Sequence, residues 1–293
     1  MRIFSKKHSD TLRSRYEWAL FVLLLPGLVY FLLIVAVPFF QGIPISLRKW
    51  DGFSATSEFV GLTNFFRMFR DGDIVSAFSN TVFLATANII GSNTLGLLLA
   101  VLIKSRSRAN SFVRMIVFMP FIISLVLSAI MFSYIYTDVI FPYFGIPSPL
   151  GSPRWVLTGL SVISIWRTTG YCMVIYLAAL QTIPEDLMEA CDIEGAGPMF
   201  KFFRITLPLI TPAVTANISL LLTWGMKVFD GPMTVTGGGP GTSSVTLAMY
   251  VYFNIFLFFK AGYGQALGLA FLVIVGALSI TVTRFLRSRE VQL

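Results

Sequence analysis

The acidic side chains of this sequence are concentrated in one short segment. Five of the 14 carboxylates lie within ten positions, at Glu185, Asp186, Glu189, Asp192 and Glu194. An ionised side chain at the centre of a bilayer costs several kcal/mol, so this segment must lie in water. Because long apolar segments flank it on both sides, it is expected to stand on one side of a membrane.

Two cations, in contrast, lie inside apolar segments, at Arg167 and Lys227. Two interpretations of Arg167 remain open. It either faces a water-filled pathway, or it is a structural partner of a backbone carbonyl or of a neighbouring subunit. Lys227 lies near the end of its segment, from which its ammonium group can extend to the interface. A cation in a pathway favours an anionic or polar ligand.

The apolar segments contain no carboxylate, since Asp138 and Asp230 lie at segment ends. Proton-coupled carriers usually need a titratable group at membrane depth, so this pattern argues against secondary proton transport and against a membrane hydrolase. The phosphate-binding pattern Gly-x4-Gly-Lys-Ser/Thr does not occur, and the run Gly237–Gly241 is expected to be a flexible extracytoplasmic loop. Cys172 and Cys191 form no metal or disulfide framework. We expect no catalytic residue, metal site or cofactor in this chain.

Composition identifies an integral membrane protein, because 56% of the 293 residues are hydrophobic and only 12% are charged. A soluble domain would have roughly a quarter charged residues. Six apolar stretches of at least 21 residues are long enough to cross the bilayer. The predicted spans are Trp18–Phe40, Phe78–Ile103, Met115–Tyr136, Val156–Leu180, Leu209–Phe229 and Gly264–Leu286. The shorter apolar piece Val245–Phe259 is predicted to be interfacial or re-entrant.

Basic residues predict the orientation of the chain. Fourteen Lys and Arg lie in the two terminal regions, the loop 104–114 and the acidic loop, against six in the segments of the opposite side. Both termini and the acidic loop are therefore expected in the cytoplasm, in a multi-pass protein of the bacterial inner membrane. The net charge of +8 is thus topological, which excludes nucleic acid as a partner and leaves membrane lipid. The predicted divisions are a cytoplasmic tail at 1–17, a transmembrane domain at 18–286 with its loop at 181–208, and a cytoplasmic tail at 287–293.

The acidic segment is predicted to fold as two short helices. The spacing Thr182–Glu185 is a capping-box pattern, and Pro184 fits the first turn of the first helix. Gly195 is expected to end that helix, and Pro198 to begin the second, which Pro208 breaks at the membrane entrance. Such an element is either a solvated amphipathic linker or a docking element for a partner.

The same segment resembles the EAA loop of binding-protein-dependent ABC importer permeases. The match consists of Glu189–Cys191, then Gly195, then Ile205 and Leu207–Pro208, with every spacing of the signature kept. Cysteine stands at the third position, where the family usually has alanine. The resemblance implies a coupling helix in a cleft of an ATP-hydrolysing subunit. We assign to this surface Glu185, Glu189, Ala190, Cys191, Asp192, Gly195, Leu207 and Pro208.

A second stretch, Phe229–Asp230 with Thr236 and the following Gly-Gly-Gly-Pro, is similar to sugar-type members of that family. The resemblance runs from about residue 18 to residue 285. It implies an all-α integral membrane fold of the type I importer permeases, with six transmembrane helices and cytoplasmic coupling helices. It also implies a solute site at mid-membrane on the fourth and fifth spans. The expected pathway residues are Arg167, Thr168, Tyr171, Leu221, Trp224, Gly225 and Val228.

Other roles remain open for the polar and aromatic residues of these spans. Tyr171 and Trp224 suit stacking on sugar rings, and they equally suit ordinary packing or an interfacial aromatic belt. Asn88, Ser92 and Asn93 on the second span are expected to make helix–helix hydrogen bonds in preference to ligand contacts.

These observations predict a permease subunit, and no enzyme, that moves a carbohydrate or related polyol by alternating access. The resemblance implies as partners a second related permease, forming a heterodimer, two ABC ATPases that bind ATP and magnesium, and an extracytoplasmic solute-binding protein. One alternative is an ABC permease for an acidic saccharide or a glycerol-phosphate-type solute. Others are a stand-alone channel or secondary carrier, and a membrane-embedded enzyme.

Overall fold

The computed structural model describes residues 20–105 and 107–290, which fold into helices joined by turns and one small hairpin. The predicted tail 1–17, Trp18 and residues 291–293 lie outside the described residues. Within the described ranges, five helices are long and apolar enough to cross a membrane, and a sixth span results when one bent helix pair is counted as a unit. The prediction of an all-α membrane fold is confirmed.

The helices are numbered here along the chain. They are α1 (Leu20–Ser46), α2 (Thr63–Met68), α3 (Gly72–Leu102), α4 (Arg108–Ile122), α5 (Leu125–Phe144), α6 (Val156–Leu180), α7 (Glu185–Ile193), α8 (Pro198–Leu209), α9 (Thr211–Met226), α10 (Asp230–Thr236), α11 (Leu247–Leu257) and α12 (Ala261–Arg287). Two short strands, β1 (Arg48–Lys49) and β2 (Glu58–Phe59), pair antiparallel. The piece predicted to be interfacial or re-entrant contains α11, an apolar helix shorter than a span.

The third span differs from the prediction. The sequence pattern placed it at Met115–Tyr136, whereas the structure has α4 and α5 separated by a break at Ile123 and Ser124. Pro120 weakens the last turn of α4, because it donates no hydrogen bond. Ile123 and Ser124 then adopt extended backbone, with ψ of 137° and 139°. The helix that is long enough to span therefore starts at Leu125.

The fifth span is also shorter than predicted, and its break lies at Ile210 instead of Pro208. Helices α8 and α9 meet there at an angle of 63°. Pro212 has no N–H to bond the carbonyl of Pro208, and the hydroxyl of Thr211 donates to that carbonyl at 2.7 Å. The side chain thus satisfies the group that the bend leaves free, while Pro208 remains inside α8.

Helices α3 and α6 form the centre of the bundle, with α4 packed on α6 and α9 packed on α3. Their apolar core includes Cys172, Met173 and Tyr176 of α6 beside Ile210 and Leu221. The contact of α6 with α4 is close, because a Cβ at Gly170 would lie 2.2 Å from the backbone oxygen of Val117. Such small residues let helix backbones approach inside a membrane. Helix α12 packs on α1 and α9 at the side of this centre.

Candidate functional site

A cavity of about 320 Å³ lies where α3, α6 and the end of α9 meet. Small-molecule sites typically measure roughly 300 to 1,000 Å³, so the space suits a small solute. Its lining consists of Leu84, Asn88, Leu125, Ser164, Arg167, Thr168, Trp224, Gly225, Lys227, Val228, Phe229 and Asp230. Five of the seven predicted pathway residues are in this set. Asp230 and Lys227 join them because the chain turns into α10 at the edge of the cavity.

The polar wall of the cavity is built from hydrogen bonds between α3 and α6. Thr168 donates to the Oδ1 atom of Asn88 at 2.8 Å, and its hydroxyl lies 2.7 Å from that of Ser92. About two turns further along α6, the hydroxyl of Tyr176 donates to Asn93 Oδ1 at 2.5 Å. The prediction that Asn88, Ser92 and Asn93 make helix–helix hydrogen bonds is confirmed. Asn88 and Thr168 also face the cavity, so this wall offers polar atoms to a solute.

The charge of the cavity is mixed, with two cations and one carboxylate. Arg167 donates from Nε to the carbonyl of Ile123 at 3.4 Å, and its guanidinium carbon lies 5.5 Å from the centre of the Phe121 ring. Asp230 attracts it electrostatically, and Lys227 lines the same space. Both interpretations of Arg167 therefore describe part of its environment. It faces the cavity, and it also holds a carbonyl that the break before α5 leaves outside the helix.

Three aromatic rings form a cluster beside the cavity. Tyr171 lies 4.9 Å from Phe121 and 5.3 Å from Trp224, measured between ring centres. Trp224 lines the cavity and is 40% exposed, whereas Tyr171 packs behind it and does not line the cavity. Leu221 is fully buried in the core and does not reach the cavity either. Phe121 was missed by the sequence reasoning, because the sequence does not show which face of α4 packs on α6; Phe121 lies one turn after Val117, whose backbone contacts Gly170 of α6.

The acidic segment folds as an exposed elbow made of α7, a turn and α8. Gly195 ends α7 with φ of +71°, and the N–H of Ala196 donates to the carbonyl of Cys191 at 2.9 Å. This is the Schellman arrangement, which requires a left-handed residue at the position of Gly195. Pro198 begins α8 as predicted. Across the turn, Asp192 accepts an ion-pair hydrogen bond from Lys201.

The predicted capping box is wrong. Pro184 is the N-cap of α7, and no side chain caps this end of the helix. The hydroxyl of Thr182 donates instead to the carbonyl of Ala179, at the end of α6. Thr182 thus closes the preceding helix and is not available to start the next one.

The elbow presents both charge and apolar surface to its surroundings. None of the α7 residues is buried, and Glu189, Ala190 and Asp192 are exposed. Four apolar side chains near the turn are exposed as well: Ile193 (87%), Met199 (72%), Phe203 (59%) and Phe200 (57%). We call these four residues the elbow patch. The sequence analysis did not predict most of the elbow patch. Apolar residues on both sides of Gly195, in a segment expected to lie in water, could have indicated it.

The remaining predicted coupling residues lie closer to the bundle. Leu207 packs on the core that contains Tyr176 and Ile210, and Pro208 is half-buried. Glu185 faces a cleft of about 520 Å³ that Lys104 also lines. The structure therefore brings Glu189 to Gly195 together on the exposed elbow and places Leu207 and Pro208 at its base.

The elbow connects the two walls of the cavity along the chain. Helix α6, with Arg167 and Thr168, runs directly into it, and α8 leads from it to α9, with Trp224 and Gly225. Membrane-spanning helices, a charged cavity between them and an exposed elbow joined to both cavity walls define a transport permease.

Comparison with known proteins gives the family. Residues 92–289 match the family described as "Binding-protein-dependent transport system inner membrane component". The chain is 31% identical over 280 residues to the probable ABC transporter permease protein YurN of Bacillus subtilis, covering 92% of this chain and 96% of YurN. It is 32% identical over 284 residues to the sulfoquinovosyl glycerol transport system permease protein SmoG of Agrobacterium fabrum, covering 92% and 90% of the two chains.

A solved structure shares the fold. The crystal structure of a bacterial ABC transporter involved in the import of the acidic polysaccharide alginate has a chain that matches with a TM-score of 0.79 and 22% identity, covering 94% of this chain and 96% of that one. The chain belongs to the family of binding-protein-dependent transport system inner membrane components. It is a multi-pass permease subunit of an ABC importer in the inner membrane, and is not itself an enzyme.

Proposed function

We propose that the chain moves a carbohydrate or related polyol across the membrane by alternating access. Two similar proteins support a carbohydrate solute: SmoG belongs to a sulfoquinovosyl glycerol transport system, and the structural relative is involved in the import of the polysaccharide alginate. The cavity supports it too, since Trp224 offers a partly exposed ring beside the polar atoms of Asn88 and Thr168. Rings that stack on sugar faces, together with a few hydrogen-bonding groups, suit a hydroxyl-rich ligand.

The observation that carries the proposal is the continuity between the elbow and the cavity. A displacement of α7 is transmitted through the short segment 181–184 to α6, and through α8 and the 63° bend to α9. Both helices carry cavity residues, so a pull on one exposed element moves two walls of the cavity together. This is the mechanical requirement for alternating access driven from outside the chain.

The elbow patch and the acids of α7 are the proposed contact with an ABC ATPase subunit, which binds ATP and magnesium. Exposed apolar side chains such as Ile193 and Met199 supply apolar area to bury, and Glu189 supplies a charge for a basic partner residue. A second, related permease completes the membrane unit as a heterodimer with two ATPases, and an extracytoplasmic binding protein delivers the solute. In this arrangement both termini and the elbow lie in the cytoplasm.

An acidic saccharide is a second candidate solute, favoured by one observation. Arg167 and Lys227 line the cavity against the single carboxylate of Asp230, which leaves an excess of positive charge. The likeness to the alginate importer agrees with this reading. The two candidates are distinguished by the thermal stabilisation of the binding protein that serves this importer. Neutral oligosaccharides raise its Tm if the first candidate holds, and only uronic acids do so if the second holds.

The coupling role is tested by Glu189→Lys in the importer reconstituted with its ATPases and binding protein. Reversing a charge at a protein contact costs at least ~1.4 kcal/mol, or about tenfold, so solute-stimulated ATP hydrolysis and uptake both fall by that factor or more. Glu290→Lys, which makes the same charge change beyond α12, is the matched control and retains both activities. Normal solute-stimulated hydrolysis in the Glu189→Lys complex would contradict the proposal.

A further inference from the structure

The β1–β2 hairpin and the start of α12 enclose a second groove, of about 370 Å³, at the end of the bundle opposite to the elbow in the predicted topology. We call it the hairpin groove. Its lining includes Lys49, Trp50, Asp51, Arg67, Phe259 and Lys260. None of these residues was assigned a role by the sequence patterns, and none belongs to the cavity between α3, α6 and α9.

The groove is held in shape by buried contacts at its base. The side-chain nitrogen of Asn64, which is buried, donates to the carbonyls of Ser46 and Arg48 at 2.8 and 2.9 Å. The N–H of Gly262 donates to the carbonyl of Trp50 at 3.0 Å, which ties the hairpin to α12. Two hydrogen bonds from one buried amide and a backbone bond between elements fix the hairpin against the bundle.

The one carboxylate of the groove is already satisfied by its own loop. Asp51 accepts hydrogen bonds from the hydroxyl of Ser54 and from the backbone N–H groups of Ser54 and Phe53. These hydrogen bonds lower the pKa of Asp51 to about 2, and the bond from the Ser54 hydroxyl has the largest effect. The carbonyl of Ser54 in turn accepts from the indole nitrogen of Trp50 at 2.8 Å, which orients the indole ring. Asp51 therefore shapes the loop and forms no ion pair with the cations of the groove, and its one negative charge leaves the three cations in excess.

Three exposed cations surround this loop without a carboxylate partner. Among the residues that the structure describes, Lys49, Arg67 and Lys260 make no ion pair. Aromatic rings hold two of them, since the guanidinium carbon of Arg67 lies 4.7 Å from the Tyr263 ring centre and the Lys260 ammonium lies 5.7 Å from that of Phe258. A partner that brings carboxylates would find three positioned charges here.

An exposed aromatic pair stands next to these charges. Phe259 has a φ of +51°, which is uncommon for a residue with a side chain, and it is 53% exposed. Its ring meets Phe53, which is 73% exposed, with ring centres 5.3 Å apart. Backbone strain of this kind persists at functional sites when the surrounding structure fixes it. Here the N–H of Lys260 is bonded to the carbonyl of Asn254 at 2.8 Å. Aromatic rings beside cations are typical of the anchor residues of protein interfaces.

We infer that the hairpin groove docks the extracytoplasmic solute-binding protein, through carboxylate side chains that pair with Lys49, Arg67 and Lys260 and an apolar side chain that meets Phe53 and Phe259. This inference rests on the proposed function and on the orientation in which the elbow is cytoplasmic. A protein is favoured over an anionic lipid because the wall of the groove is a polar hairpin loop, fixed by Asp51 and Ser54, that a protein surface can match in shape.

The test uses the importer reconstituted in neutral-lipid proteoliposomes with its ATPases and solute-loaded binding protein. Lys49→Glu with Lys260→Glu is expected to raise the concentration of binding protein that gives half-maximal ATP hydrolysis by about tenfold or more, and most strongly at low salt. Hydrolysis without binding protein stays unchanged. Arg154→Glu reverses a cation predicted to lie on the same side but outside the groove, and it shifts that concentration by less than about twofold.

Two results would overturn the inference, and a third would refute the proposed function on which it rests. Equal half-maximal concentrations for the groove variant and Arg154→Glu would show that the groove is not the docking site. An activity change that follows the anionic-lipid content of the vesicles, with unchanged binding-protein dependence, would assign the groove to lipid. A wild-type complex that the binding protein does not stimulate would instead refute the proposed function itself, which separates the two failures.

A second measurement keeps the inference testable if the charge variants assemble poorly. A photo-crosslinking residue in place of Phe53, whose side chain is mostly exposed, is expected to cross-link to the binding protein in the assembled complex. Phe53→Cys, in a chain whose half-exposed Cys191 is replaced by alanine, is also expected to react with a membrane-impermeant maleimide added outside intact cells. Reaction only after the cytoplasmic side is opened, or a cross-link to lipid alone, would refute the inference.

Discussion

Alanine at Gly195 should weaken coupling through the backbone alone. Gly195 has φ of +71°, and an added Cβ would meet nothing within 4 Å, so the substitution creates no clash. The left-handed conformation costs an L-residue about 1–2 kcal/mol, and 1.4 kcal/mol is a factor of about ten. Gly195→Ala is therefore expected to lower the ratio of the native elbow turn to other turn geometries by about 5- to 30-fold.

The chain contains a matched control two residues further on. Gly197 also has open space around it, but its φ is −66°, which alanine adopts without strain. Gly197→Ala is therefore expected to leave the turn unchanged. Gly195→Asn is expected to fall between the two, because asparagine tolerates the left-handed region better than alanine does.

The assay is solute-stimulated ATP hydrolysis by the reconstituted importer, measured as a function of ATPase subunit concentration. Gly195→Ala should require more ATPase subunit for half-maximal activity, by up to about 5- to 30-fold, because the apparent Kd rises as the fraction of native turn falls. Its Tm matches that of Gly197→Ala because no residue of α7 is buried. Equal concentrations for the two alanine variants would refute the reasoning, since they differ only in the backbone conformation that alanine must adopt.

Two further predictions concern the centre of the bundle. Gly170→Ala puts a Cβ 2.2 Å from the backbone oxygen of Val117, so the Tm in detergent is expected to fall by the amount that corresponds to about 1–3 kcal/mol of overpacking. Gly276→Ala places its Cβ in open space and is expected to leave the Tm unchanged. Equal Tm values for the two variants would contradict this prediction. Tyr176→Phe removes the hydrogen bond to Asn93, and a loss of about 1–2 kcal/mol is expected in a double-mutant cycle with Asn93→Ala; additive effects would show that the bond contributes nothing.

The sequence predicted the elements whose cause is local. The bounds of α6 agree with the predicted fourth span, Val156–Leu180, because a polar and proline-rich loop precedes it and the acidic segment follows it. Gly195 and Pro198 were placed correctly for the same reason, since each acts through its own backbone conformation. The first, second and sixth spans were found as helices, although α3 and α12 begin earlier than their apolar stretches.

The predictions that were wrong have a common cause, which is that neighbouring groups compete for the same hydrogen bonds. Thr182 fits a capping box, yet its hydroxyl bonds the end of α6, because Pro184 leaves the backbone extended with ψ of 134° before α7. Pro208 was expected to break the chain, yet the hydroxyl of Thr211 compensates the groups around the bend two residues later. A residue pattern states which groups can bond, and the surrounding chain decides which bond forms.

The break before α5 shows why the cavity itself could not be predicted. In the sequence, Arg167 is a cation within an apolar span, and no neighbouring residue in the sequence identifies the group that it bonds. Only when Ile123 and Ser124 become extended does a carbonyl come within reach of its guanidinium group, with Phe121 beneath it and Leu125 in the wall of the cavity. Non-helical backbone at membrane depth persists where it lines a cavity or is covered by protein. Arg167 and the broken helix therefore account for each other: the cation is accommodated because the carbonyl is free, and the cavity exists where the helix is interrupted.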